Sequence, residues 1–264
     1  MTTVELVLAY FPNLLLILCR MTGFFVTAPV FSIRNNVPPQ FRIGIAVFVT
    51  FLVFFAHGAD RPIPMDGQYM FYCIRETLIG VLLGFVAYLF FSVVQMAGAF
   101  MDMQMGFGIV NVVDPVSGTQ SPVFGNFKFA VAMLLFLALD AHHYLLLAIM
   151  DSYREIPLDN SFFERIAQGS PTEFLTRSFS TAFTLALQMA APLVASMFLV
   201  DVALGILAKT APQFNVFVVG LPLKILAALA IVIILVPTFF ALFQNLFATM
   251  FEHLFEMMRQ LRSL

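Results

Sequence analysis

The sequence predicts an all-α fold of membrane-type helical hairpins with broken helices, and three observations carry that prediction. Apolar residues make up 61% of the chain and charged residues only 11%, against roughly 45–50% and 25% in soluble globular domains. The apolar residues gather into long stretches at 4–31, 43–56, 74–97, 123–150, 179–208 and 214–251. Glycine and proline collect between and inside those stretches, where they turn or kink helices. A chain of 264 residues cannot bury so much apolar surface in its own core, so the remainder must face lipid or other protein. The 33 Phe and 15 Met come with no Trp. Trp belts typify lipid-facing helices, so their absence favours protein neighbours around much of the surface.

A helix needs about 20 apolar residues to cross the hydrocarbon core. The first stretch has no basic n-region and no small-residue cleavage pattern, so it is expected to be retained rather than removed as a signal. The second, at 43–56, is short for a simple span. The sixth is long and contains Pro222 and Pro237, which predicts one bent helix or a short segment followed by a long one. Asn35-Asn36 and Pro38-Pro39 mark a turn, and Gly58, Pro62, Pro64 and Gly67 mark a loop. The longest polar region, 151–177, holds Pro157, Gly169 and Pro171. It divides the chain into an N-terminal helical part, 1–150, and a C-terminal helical pair, 178–264. The amphipathic tail from 252 onward carries Arg259 and Arg262 and suits a helix reaching into water.

Charges interrupt the apolar stretches at Arg20, Arg75, Glu76, Lys128, Asp140, Asp201 and Lys224. An ion at the bilayer centre costs at least about 2.5–3.5 kcal/mol, so these side chains are not expected to face lipid. Snorkelling at helix ends is one way out. Pairing inside a multi-subunit helical assembly is preferred for Arg20, Asp201 and Lys224, with Lys209 a further candidate subunit contact. Basic residues at Arg34 and Arg42, at Arg61, and at Arg154, Arg165 and Arg177 fall in different connections. No simple alternating topology puts them all on one side. The net charge of -2 argues against nucleic acid, which needs a clustered basic surface. Cys19 and Cys73 sit in apolar runs and read as core packing.

Residues 98–125 stand apart. Gly98, Gly106, Gly108, Gly118 and Gly125, with Pro115 and Pro122, predict that no regular helix runs through the whole of it. Its first half is nevertheless apolar, and irregular backbone beside membrane helices must be covered by protein or line a watery cavity. Met101, Met103 and Met105 alternate, which in extended backbone puts all three on one side. Methionine is deformable and seals irregular gaps. The segment is read as a flexible plug lined by Met101, Met103, Met105, Phe107, Ile109, Val110, Val112 and Val113; a buried re-entrant turn that merely packs is the rival. Asp102 is expected to be a hydrogen-bonded structural acid rather than part of a proton relay. His142 and His143 lie about 100° apart on a helix and are not expected to share an ion, so no metal site is predicted. Gly80 and Gly84 read as a small-residue helix contact. No nucleophile–base grouping, phosphate-binding glycine loop or HExxH run is present, so neither an enzyme nor a cofactor is expected.

Read in order, Gly98, Asp102, Gln104 and Gly106-Phe107, then Asp114-Pro115, Pro122 and Gly125, then Phe136-Leu137, Asp140, His142, Ser152 and Pro157 form one dense block. A second runs through Pro192, Asp201, Gly205, Pro212-Gln213, Asn215, Gly220, Pro222 and Lys224. Over nearly the whole chain these resemble the FliR family of flagellar export-gate subunits, whose injectisome counterparts are called SctT. The resemblance implies a non-enzymatic subunit of the bacterial type III protein-export gate in the inner membrane, at the flagellar basal body. It implies FliP and FliQ homologues as partners in a hetero-oligomeric core, FlhB and FlhA homologues around it, membrane lipid, and unfolded export substrates. It further implies an N-terminal part like FliP, a C-terminal helix pair like FliQ, and a pore-plugging loop at about 106–122. The rivals are a secondary transporter or proton channel, for which no inverted repeat is evident, and a scaffold that does not line the path.

Overall fold

The computed structural model describes residues 3–31, 38–57, 63–108, 122–156, 170–213 and 215–262. Among them the secondary structure is entirely helical. The helices are α1 (Thr3–Thr27), α2 (Pro39–His57), α3 (Tyr69–Met105), α4 (Val123–Ala138), α5 (Ala141–Glu155), α6 (Ser170–Thr210) and α7 (Val216–Arg262). Five are long and apolar enough to cross a membrane, or six spans if the broken pair α4 and α5 counts as one. The apolar stretches thus locate the helices, with three adjustments. α2 starts at Pro39, where proline fits the first helical position, and its 19 residues make it long enough to span. α7 is one helix running through both Pro222 and Pro237. The fourth stretch is broken at Asp140, which adopts the left-handed conformation with φ 54°, one that Asp tolerates better than most residues.

α3 continues to Met105, so the extended reading of its methionines is corrected. Between 98 and 105 the only glycine is Gly98, and a single glycine costs a helix only about 1 kcal/mol. Helical periodicity places Met101 and Met105 on one fully buried face, while Met103 is 74% exposed.

The contacts divide the chain into two units, each assembled from separate stretches. Unit 1 comprises Met1–Leu89, Asp140–Phe179 and Thr249–Leu264; unit 2 comprises Phe90–Leu139 and Ser180–Ala248. In unit 1, α1 and the first half of α3 meet backbone to backbone. A Cβ on Gly80 would strike the Arg20 carbonyl, one on Gly84 the Thr27 hydroxyl, and one on Gly23 would lie 2.7 Å from the Thr77 carbonyl oxygen. These glycines therefore form the small-residue contact expected of 80 and 84. Leu16, Ile17, Met21, Phe24 and Phe25 fill the surrounding core.

The chain's C-terminal tail joins this unit instead of standing free in water. Leu254, Met257, Met258 and Leu261 are buried, the Ser178 hydroxyl lies 3.0 Å from His253 Nδ1, and Arg177 pairs with Glu256 at 3.3 Å. Its exposed face carries Glu252, Phe255 and Arg259. In unit 2, Phe91 packs against Phe129, Phe136 and Phe247, with Phe136 and Phe247 edge to face at 5.0 Å.

Candidate functional site

The second unit holds both ends of the segment that the sequence singles out. α4 begins after Pro122, a residue with no side-chain acceptor, and has no cap of its own. Its first N–H groups would be orphaned in an apolar interior. Asp102, on the last turn of α3, supplies the missing acceptor: Oδ1 accepts from the Phe124 N–H and Oδ2 from the Gly125 N–H, each at 3.0 Å. The carboxylate also sits at the positive end of the α4 dipole. This is the hydrogen-bonded structural acid expected at 102.

The cap requires α3 and α4 to approach closely. Gly98 and Gly125 make that possible, because a Cβ on Gly98 would collide with the Gly125 Cα. Lys128, one turn into α4, is 3% exposed. Its ammonium donates to the Met101 sulfur at 3.5 Å and lies 4.4 Å above the Phe239 ring and 5.8 Å above Phe243. No carboxylate pairs with it among the described residues. A thioether and two ring faces thus stand where a counter-ion is usual.

The end of α3 is also tied to α6 and α7. Gln104 Nε2 donates to Asp201 Oδ2 at 2.9 Å, and Lys224 Nζ bridges the same carboxylate at 2.7 and 2.9 Å. α3 then terminates on Gly106, whose φ of +92° is the left-handed C-terminal position that glycine fills without strain. The Phe107 N–H closes the turn onto the Asp102 carbonyl at 3.0 Å. Asp102 therefore ends α3 with its backbone and starts α4 with its side chain.

Of the residues predicted to line the plug, Met101 and Met105 pack inward, Met103 is exposed and Phe107 is half-buried. Ile109, Val110, Val112 and Val113 lie outside the described residues. Asp201 and Lys224 are brought together, and Lys209 is exposed on α6. Arg20, expected to meet another subunit, is satisfied within its own chain. It is fully buried and donates to Glu76 Oε2 at 2.6 Å, to the Ser152 carbonyl and hydroxyl at 3.0 Å each, and to the Ile156 carbonyl at 3.1 Å. Its guanidinium lies 4.0 Å above the Tyr153 ring, and Arg75 approaches the other Glu76 oxygen at 3.3 Å. Reliance on charge alone leaves out Ser152 and Tyr153, which carry no local sign of this role. The Lys128 cage was equally unforeseen; the apolar register of α7 alone does not aim Phe239 and Phe243 at a lysine.

Much of the motif pattern in the sequence now has a physical reason: Gly98 against Gly125, Asp102 on the α4 cap, Ser152 on Arg20, and Asp201 with Lys224. A membrane-type helical protein with these features falls among the bacterial export proteins. The family model for bacterial export proteins, family 1, matches residues 11–250, and the chain belongs to that family.

Within it, the chain is similar to the flagellar biosynthetic protein FliR of Bacillus subtilis (strain 168), at 43% identity over 242 residues, 92% of this chain and 93% of that one. It is similar to FliR of Escherichia coli (strain K12) at 29% identity over 244 residues, 92% of each chain. The Yop proteins translocation protein T of Yersinia pestis is 30% identical over 220 residues, 83% of this chain and 84% of its own. The resemblance to the FliR and SctT family is borne out.

Proposed function

We propose that the chain is a subunit of the bacterial type III protein-export gate serving flagellar biosynthesis, and that it forms part of the protein-conducting path and its plug. Membership of the export family and the FliR-named relatives support the export role. The observation that carries the plug is the double clamp on its roots: Asp102 and Gly98 hold the α4 end, while Gln104, Asp201 and Lys224 hold the α3 end. A segment that must block a passage and yield to a substrate needs ends held fast by the surrounding helices. The chain acts without catalysis, in the inner membrane at the basal body. FliP and FliQ homologues surround it in a common core, with FlhB and FlhA homologues adjoining, and unfolded polypeptide is the cargo. Apolar exposed surface on α6 and α7, including Phe198, Leu199, Ile233 and Ile234, supports neighbours of that helical kind.

Deleting 106–113, or replacing Phe107, Ile109, Val110, Val112 and Val113 by Gly, is expected to raise ion leakage through the assembled gate. Conductance of cells or of liposomes carrying the complex measures it. An unchanged closed state removes the plug, and failure of a stalled export substrate to crosslink at 101–113 favours a scaffold away from the path.

A further inference from the structure

The break between α4 and α5 gathers three metal-type side chains. Asp140, His142 and His143 each offer one ligand atom, and these atoms all lie within 4.8 Å of one another. The Asp140 Oδ1 to His143 Nδ1 distance is 3.5 Å, and the two imidazole centroids are 4.1 Å apart. The helical angle between adjacent residues would keep the rings apart if only their Cα positions counted. Side chains with two rotatable bonds reach well beyond those positions, and at the very start of α5 no preceding turn fills the space between them. Asp140 closes the group because its left-handed backbone, φ 54°, turns the chain just before the first residue of α5.

The donor set is the informative part. Zinc binds imidazole nitrogen and carboxylate oxygen at about 2.0–2.2 Å, so tetrahedral ligand atoms stand about 3.3–3.6 Å apart. The Asp140–His143 edge already has that length, and the other edges are no longer than 4.8 Å. His142 Nδ1 is shielded from solvent and meets no hydrogen-bond partner among the described residues, an expensive state for a ring nitrogen. A metal ion relieves it. The first turn of α5 carries a positive partial charge that opposes a cation, and the Asp140 carboxylate offsets it.

We propose that Asp140, His142 and His143 form a site for a borderline divalent transition metal of the zinc type, with the fourth position left to water. The ion pins the left-handed turn to the first turn of α5. This inference is independent of the gate reading.

The test is calorimetric titration of the full chain in detergent micelles with zinc chloride near neutral pH, paired with the visible spectrum of the cobalt(II) form. One equivalent is expected to bind, with the intense cobalt bands of tetrahedral coordination. His142→Gln and His143→Gln are each expected to weaken binding about ten-fold or more, on the scale seen when groups that hold a metal are altered. Asp140→Asn, which still tolerates the left-handed backbone, weakens it too, and His57→Gln does not. His143 is 65% exposed, so its variant folds as the parent does. No saturable binding, or binding that survives both histidine variants, overturns the site and leaves an ordinary Asp140–His143 pair.

Discussion

Arg20 in unit 1 and Lys128 in unit 2 are both buried cations on apolar helices, and their surroundings differ in kind. Arg20 meets a carboxylate, two carbonyls, a hydroxyl and an aromatic face, which together engage its planar fork of donors. Lys128 meets a thioether and two phenyl rings. The first arrangement has one geometry, because several directional bonds must be made at once. The second is soft: a point charge against polarizable, non-directional groups tolerates displacement. The difference teaches that unit 1 holds α1, α3 and α5 in a fixed register. Unit 2, which carries both roots of the 109–121 segment, keeps a compliant centre beside firm caps.

The largest expected effect falls on Arg20. Arg20→Ala leaves Glu76 buried with only Arg75 beside it, and breaking a buried pair this way costs about 3–5 kcal/mol. Unfolding in mixed micelles measures it. The double variant Arg20→Met with Glu76→Met is expected to recover most of that loss, because no charge then remains without its partner. Next comes Asp102→Ala, which orphans the Phe124 and Gly125 N–H groups; hydrogen bonds to a charged acceptor put the loss at about 1.5–3 kcal/mol. Asp102→Asn keeps one acceptor oxygen and loses less. The smallest effect, and the one that sharpens the comparison most, is Lys128→Met. Removing a desolvated charge that has no carboxylate partner among the described residues is expected to change stability by less than about 1 kcal/mol or to raise it. If Lys128→Met instead destabilises as much as Arg20→Ala, the contrast between a bonded and a cushioned cation fails.

Much of the fold was legible because membrane-type helices announce themselves locally. A run of about 20 apolar residues needs no knowledge of its neighbours, so the stretches at 74–97 and 179–208 located α3 and α6. Their ends were less legible. α3 runs past Gly98 to Met105, since a glycine placed against Gly125 serves packing rather than breaking the helix. The Met101, Met103, Met105 alternation was read with period two because glycines crowd the segment, whereas the backbone keeps its helical turn to the last methionine. At the site, Asp102 was readable as a structural acid, but not as the cap of a helix beginning 21 residues later. Proline at 122 was the available signal, being a helix start with no side-chain acceptor of its own. The proximity of Asp140, His142 and His143 was hidden for a similar reason: angular spacing on an ideal helix ignores a left-handed residue at its threshold.

What the sequence determined by itself was composition and span: too much apolar surface for water, distributed in bilayer-length runs, with prolines and glycines marking breaks. Those follow from transfer free energies and backbone sterics, which act residue by residue. What only the tertiary structure decided was who satisfies whom. Arg20 binds residues 56, 132 and 136 positions away, and half of the residues in the α1 span are buried, against 11% in the most apolar 18-residue stretch of α7. A buried charge is stable only beside its partner, and that proximity is a property of packed helices rather than of any stretch of chain.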